Sequence, residues 1–138
     1  MRTALNFLKH SYGFTSLVTL NLFGLVDTFD KSKHAFFSED LPREEIEEYT
    51  EKLCSESFKV FLNMLYPNVK VNNHLKIPIL VLGAEKDTIF TVKQNEMTAK
   101  KYGAELIIME DIAHDLMLEA KHEEVTEEIM TWIETTSN

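Results

Sequence analysis

The fold is decided by one stretch of sequence, IPILVLGAEKDTIFTVKQNEMTAKKYGAELIIME, which spans residues 77–110. It begins with the apolar run IPILVLG (77–83) and ends with AELIIME (104–110), whose middle residues are apolar. A continuous apolar run such as the first is typical of a parallel strand that is buried on both faces. Pro78 stands near the start of the first run, where a missing backbone donor is tolerated. We therefore predict two strands, and we expect the polar segment GAEKDTIF (83–90) to be a loop.

A helix is predicted between the two strands. Thr91 and Gln94 have the spacing of a capping box at a helix N-terminus, and Gly103 suits the position just after the helix end. Four residues share one face of this helix: Val92, Asn95, Ala99 and Tyr102. A last helix follows the second strand, and its apolar side consists of Val125, Ile129, Trp132 and Ile133. The order β-α-β-α predicts a parallel pair of strands with a right-handed crossover.

The N-terminal half of the chain has a helical pattern. Ile46, Tyr49 and Leu53 repeat at i, i+3 and i+7 behind Pro42, a good first-turn residue. A second apolar stripe follows, made of Phe58, Phe61, Leu62 and Leu65. We expect the segment KSKHAFFSEDLP (31–42) to be a loop.

By pattern, the chain divides into a helical region, residues 1–74, and a β-α-β-α region, residues 75–138. Two parallel strands alone do not make a stable sheet, because a parallel sheet needs both faces covered and its edges paired. The helical region offers no convincing further strand. The pattern therefore predicts an α/β chain that forms part of a larger fold.

Charge and composition narrow the function classes. The 138 residues carry a formal net charge of −9, from 14 basic and 23 acidic residues. Such a surface repels phosphate backbones and anionic lipids, so we expect no nucleic-acid partner. The apolar stretch at residues 14–26 is too short to span a bilayer and lacks the flanks of a signal peptide. The single cysteine, Cys54, permits no internal disulfide or cysteine-type metal site, and a cytoplasmic location is predicted.

Two residues suited to acid–base chemistry follow the two predicted strands. Asp87 comes after the first strand and His114 after the second, so parallel pairing would bring both to the sheet edge where α/β folds bind ligands. An aspartate there can hold an imidazole in one tautomer and leave its other nitrogen free to act as a base. Taken singly, Asp87 is more typical of a turn and His114 of a loop. Four further histidines lack this context: His10, His34, His74 and His122.

These segments resemble the α/β-hydrolase fold family, in its esterase, lipase and lysophospholipase-like branch. That family's penultimate strand and acid-bearing loop resemble IPILVLGAEKDTIF (77–90), and its last strand and histidine-bearing loop resemble AELIIMEDIAHDLMLE (104–119). Its helical cap is similar to FFSEDLPREEIEEYTEKLCSES (36–57). The resemblance implies that Asp87 is the triad acid and His114 the general base. Ala113 replaces the glycine that usually precedes this histidine, and in the family a glutamate often follows it.

The nucleophile of that family is missing from the sequence. Neither Cys54 nor any serine lies in a Gly-x-Ser-x-Gly elbow, and the His-Gly signature of the oxyanion loop is also missing. One hypothesis is therefore the C-terminal part of a serine hydrolase, encoded as a truncated product or expressed as a fragment. Such a part would act on carboxylic esters without a cofactor or metal, but only once an N-terminal half completes it. The apolar stripe of its cap would then face His114 and bind an acyl chain.

Two other hypotheses remain open. The chain could be a non-catalytic interaction module that pairs its open sheet with another chain or with a second copy of itself. It could also be a free-standing flavodoxin-like domain, although the further strands and the Gly-rich phosphate loop of such a domain are not in the sequence.

Overall fold

The structure is a computed structural model that describes residues 23–55, 57, 59–60, 63 and 77–136. The helices are α1 (Phe29–Phe36), α2 (Arg43–Lys52), α3 (Val92–Tyr102) and α4 (His122–Thr136), and the strands are β1 (Leu80–Ala84) and β2 (Glu105–Met109). Short 3-10 helices cover Phe23–Leu25 and Leu116–Leu118. This arrangement confirms the α/β class, whereas the hydrolase fold stays a prediction. No helix in the described ranges has the length and apolar character needed to cross a bilayer.

The described residues divide into two compact units. One contains residues 23–35 together with those described between positions 42 and 63, and the other contains residues 36–41 together with 77–136. The short segment 36–41 therefore belongs to the same unit as the strands, which follow it much later in the sequence. The predicted boundary between residues 74 and 75 lies outside the described ranges and stays a prediction.

The two strands pair in parallel, as predicted. Leu80 lies opposite Glu105, and the register continues to Ala84 opposite Met109. The first strand starts three residues later than expected, because Pro78 has no backbone donor, and Ile77 before it is 65% exposed. The expectation of burial on both faces is wrong for the first three residues of β1, which are only half-buried.

Helix α3 begins and ends as the sequence predicted. The Thr91 side chain accepts from the backbone N–H of Gln94, and the Gln94 side chain accepts from the backbone N–H of Thr91. Gly103 ends the helix with a φ of 64°, a left-handed conformation that favours glycine. Within β1, a Cβ on Gly83 would overlap the amide of Asn95, so the absence of a side chain there lets the helix approach the strand closely.

The core of the second unit lies at the carboxyl ends of the strands. Its buried centre consists of Ala84, Met109, Ile112 and Val125, around which Leu82, Ile107, Leu116 and Ile129 pack. Helix α4 contributes the first part of its predicted apolar side, since Val125 is buried and Ile129 half-buried. Ile133 is exposed. The best-packed part of the unit is therefore the edge from which the Asp87 and His114 loops emerge.

The prediction of a loop at residues 31–42 is wrong for residues 31–36, which are helical, and is confirmed for residues 37–42. Helix α1 covers the first half of this segment and buries Ser32 and Ala35, one turn apart. The Ser32 hydroxyl lies 3.1 Å from the carbonyl of Phe29 and 2.5 Å from the hydroxyl of Thr50. A buried serine with hydrogen-bond partners adds nothing to a hydrophobic pattern, which is why the sequence did not show this helix.

Helix α2 differs at both ends from its predicted pattern. Pro42 is the N-cap residue and not part of the first turn; its carbonyl accepts from the amides of Glu45 and Ile46. Ile46 is buried as expected, but Leu53 lies beyond the helix in an extended conformation. The second stripe, Phe58, Phe61, Leu62 and Leu65, lies outside the described residues, so its role as an acyl-binding wall stays a prediction.

Candidate functional site

The structure brings Asp87 and His114 together. The Nδ1 atom of His114 lies 3.0 Å from Oδ2 of Asp87, a hydrogen-bond distance. The carboxylate is 5% exposed and the imidazole 24% exposed. A nearly buried carboxylate therefore meets a histidine that solvent still reaches, at the edge expected from parallel pairing.

The second oxygen of Asp87 holds its own loop. Oδ1 accepts from the backbone N–H of Ile89 at 2.7 Å and from that of Phe90 at 2.9 Å. Asp87 is therefore both a turn residue, as its local sequence suggests, and the partner of His114. Because each oxygen has its own partners, the carboxylate has little freedom to rotate away from the imidazole.

Backbone contacts fix the two loops against each other. The amide of Glu85 donates to the carbonyl of Met109, and the amide of Lys86 to that of Ile112, each at 2.9 Å. Asp111 turns the second loop with a φ of 61°, which aspartate tolerates better than most residues. Its carboxylate lies 2.7 Å from the ammonium group of Lys86, and this contact lowers the pKa of Asp111. The loop that carries His114 is thus tied to the loop that carries Asp87.

Two phenyl rings contact the imidazole. The ring centroid of Phe90 lies 5.6 Å from that of His114, and the ring of Phe36 lies at 5.9 Å, both within the usual range for aromatic pairs. Phe90 belongs to the Asp87 loop, whereas Phe36 comes from the end of α1 and is held by a 3.0 Å hydrogen bond from the amide of Asp115 to its carbonyl. The sequence did not indicate Phe36, because it lies in the segment expected to be a loop.

The environment favours the protonated form of the histidine. The hydrogen bond to Asp87 raises the pKa of His114 above its ordinary value of 6.5, burial opposes this shift, and the charges of Asp87 and Asp115 add to it. Burial also raises the pKa of Asp115, although the charge of His114 acts in the opposite direction. Asp87 thus stabilises the imidazolium that His114 would form on accepting a proton as a general base.

Sequence reasoning assigned no role to Glu119. Its side chain is 1% exposed and accepts hydrogen bonds from Ser38 and from the amide of Ala113, next to His114. A charged residue within the apolar run LMLEA (116–120) could have drawn attention to it, since buried glutamates occur only with partners.

The other histidines and the cysteine were not expected to belong to the site. His34 belongs to α1 and His122 begins α4, where its Nδ1 lies 3.0 Å from the carbonyl of Glu119; His10 and His74 lie outside the described residues. Cys54 is exposed. Within the ranges that the structure describes, no group of three or more His, Cys, Asp and Glu residues could hold a metal ion.

Comparison of the chain with protein-family models, with curated proteins and with solved structures gave no match. The α/β-hydrolase relationship therefore rests on the resemblance of the strand and loop sequences, and it stays a prediction.

Proposed function

We propose that Asp87 and His114 are the acid and the general base of a site that hydrolyses carboxylic esters. The observation that supports this most is the 3.0 Å contact between Nδ1 of His114 and a nearly buried carboxylate. If Nδ1–H donates to Asp87, Nε2 carries the lone pair and can take a proton from an attacking hydroxyl group. The raised pKa of His114 means that the resulting imidazolium is stabilised.

The surroundings of the base favour an uncharged, apolar substrate. The rings of Phe36 and Phe90 lie against the imidazole, and Phe90 is 41% exposed. Apolar walls with a few polar groups are typical of sites for small organic ligands. The net charge of −9 disfavours anionic substrates. An ester with an acyl or alkyl group that can lie against Phe90 fits both features.

The nucleophile in this proposal comes from a different polypeptide segment. No serine of the sequence lies in a Gly-x-Ser-x-Gly elbow, and a base without a hydroxyl to deprotonate performs no acyl transfer to serine. A complementary N-terminal half, covalently joined or separate, would place its serine near Nε2 of His114. Alone, the 138 residues should give ester turnover no faster than free imidazole.

The test uses p-nitrophenyl acetate and mass spectrometry on the purified chain. We expect single acetyl transfer to Nε2 of His114, faster than to His34 or His122, with a rate that rises with pH as the imidazole loses its proton. At a pH at which the imidazole is unprotonated in both proteins, Asp87→Asn should slow this transfer, and His122→Ala should leave it unchanged. Equal labelling of His34, His114 and His122 would contradict a base oriented by Asp87. Acetylation of a serine that His114→Ala abolishes would place the nucleophile within the chain.

A non-catalytic interaction module is the second candidate. Two features of the sheet favour this candidate. Within the described residues, each strand has a single hydrogen-bonded neighbour, so its other edge is open. In addition, Leu80, Val81 and Leu82 are only half-buried. Strand edges of this kind pair readily with another chain. If this is the function, substitutions of Asp87 and His114 will leave binding to that chain unchanged.

A further inference from the structure

Glu119 is a buried carboxylate that accepts three hydrogen bonds. Its Oε1 accepts from the amide of Ser38 at 2.7 Å and from the amide of Ala113 at 3.2 Å, and its Oε2 accepts from the hydroxyl of Ser38 at 2.6 Å. Ser38 and Ala113 are also buried. A buried charge is tolerated only where donors of this kind surround it, and hydrogen bonds to a charged acceptor are stronger than neutral ones.

These bonds join two segments that are far apart in the sequence. Ser38 and Glu119 are separated by 81 positions, and Ala113 immediately precedes His114. The same pair of segments is joined a second time, where the amide of Asp115 donates to the carbonyl of Phe36. The chain around Phe36 is therefore attached to the histidine loop on both sides of His114.

We infer that Glu119 is a positioning residue for His114. By holding Ser38 and Ala113 on one carboxylate, it fixes the ring of Phe36 against the imidazole and fixes the backbone from which His114 projects. The role of His114 as a base rests on the proposed function, whereas the contact between the two rings does not. No neutral side chain accepts all three bonds, since a glutamine has one acceptor oxygen and its amide nitrogen cannot accept from the Ser38 hydroxyl.

The test is NMR spectroscopy of the full chain with ring protons of Phe36, Phe90 and His114 assigned. In the unsubstituted protein we expect cross-relaxation from His114 to both phenyl rings. Glu119→Ala should abolish the contact with Phe36 and its ring-current shift on the imidazole protons, while the contact with Phe90 persists. Glu119→Gln should restore part of the Phe36 contact, because its single oxygen can still accept from the amides of Ser38 and Ala113. Glu127→Ala, an exposed position on α4, is the matched control and should change neither contact.

A purely stabilising role would lower the midpoint of thermal unfolding without changing either ring contact, and that result would overturn the inference. If Glu119→Ala does not fold, Glu119→Gln and Ser38→Ala decide the question, because each removes only part of the hydrogen bonding. Both should weaken the Phe36 contact, and an unchanged contact in both would overturn the inference. No ester is present in these measurements, so they can fail or succeed independently of the proposed hydrolysis.

Discussion

At the scale of single residues, the two carboxylate oxygens of Asp87 have different hydrogen-bond partners and different roles. One oxygen holds the amides of Ile89 and Phe90, and the other meets Nδ1 of His114. An asparagine at this position can still accept from the two amides through its carbonyl oxygen. It loses the negative charge, however, and offers an N–H group to the imidazole. The substitution Asp87→Asn therefore separates the structural role of the residue from its effect on His114.

We predict that Asp87→Asn lowers the pKa of His114 towards its ordinary value of 6.5, because the hydrogen bond to Asp87 is the largest cause of the shift. NMR titration of the imidazole protons measures this directly. Asp115→Asn is the matched control, since the charge of Asp115 is the smallest contribution and its removal should move the midpoint less. Equal shifts in both variants would mean that the contact with Asp87 does not govern the protonation of His114.

The raised pKa of His114 also predicts how stability depends on pH. Protonation favours the folded state, so the stabilisation is complete below the unfolded value of about 6.5 and is lost as the pH rises through the folded pKa. Because the imidazole is partly exposed, we expect a contribution of about 1 kcal/mol or less. Urea unfolding at pH 5.5 and pH 9 should show a smaller difference for His114→Gln than for the unsubstituted protein. The same difference in both proteins would contradict this linkage.

At the scale of elements, local sequence specified the β-α-β part well. The capping box at Thr91 and Gln94, the left-handed Gly103 and the two apolar runs each act over a few residues, so the sequence alone could predict them. Helix α1 depends instead on buried polar contacts such as that between Ser32 and Thr50. No pattern within eight residues reveals a partner 18 positions away, and the helix was missed for that reason.

The capping box gives a prediction for helix α3. Thr91→Ala removes the side chain that accepts from the amide of Gln94, and we expect the free energy of unfolding to fall by about 1 kcal/mol. Thr98→Ala, on the exposed middle of the same helix, is the matched control. Alanine has the higher helix propensity, so this variant should be unchanged or slightly more stable. Denaturant unfolding of both variants provides the comparison, and an equal loss would show that the cap contributes nothing specific.

At the scale of the whole molecule, the sequence predicted which residues of the site meet but not what encloses them. The pairing of Asp87 with His114 follows from strand order alone, since parallel neighbours end at the same edge. Phe36 and Glu119 belong to the site through contacts between distant segments. The sequence contains no local sign of Phe36, and for Glu119 the only sign is a charged residue in an apolar run, at a place where the family that the chain resembles often has a glutamate. The burial of β1 was overestimated because an apolar run specifies what can be buried, and not whether a covering element is present.

The half-buried sheet predicts that the isolated chain self-associates. Leu80, Val81 and Leu82 are only partly covered, and Ile77, which leads into β1, is 65% exposed. A second copy can cover these residues by pairing along the strand edge, and charged residues near such an edge oppose pairing.

Sedimentation velocity over a range of concentrations should therefore show association that Ile77→Lys reduces. Met130→Lys introduces the same charge at an exposed apolar position on α4, outside the strands, and should leave association unchanged. A chain that stays monomeric at all concentrations, or an equal effect of both lysines, would show that the sheet edge is not the surface that pairs.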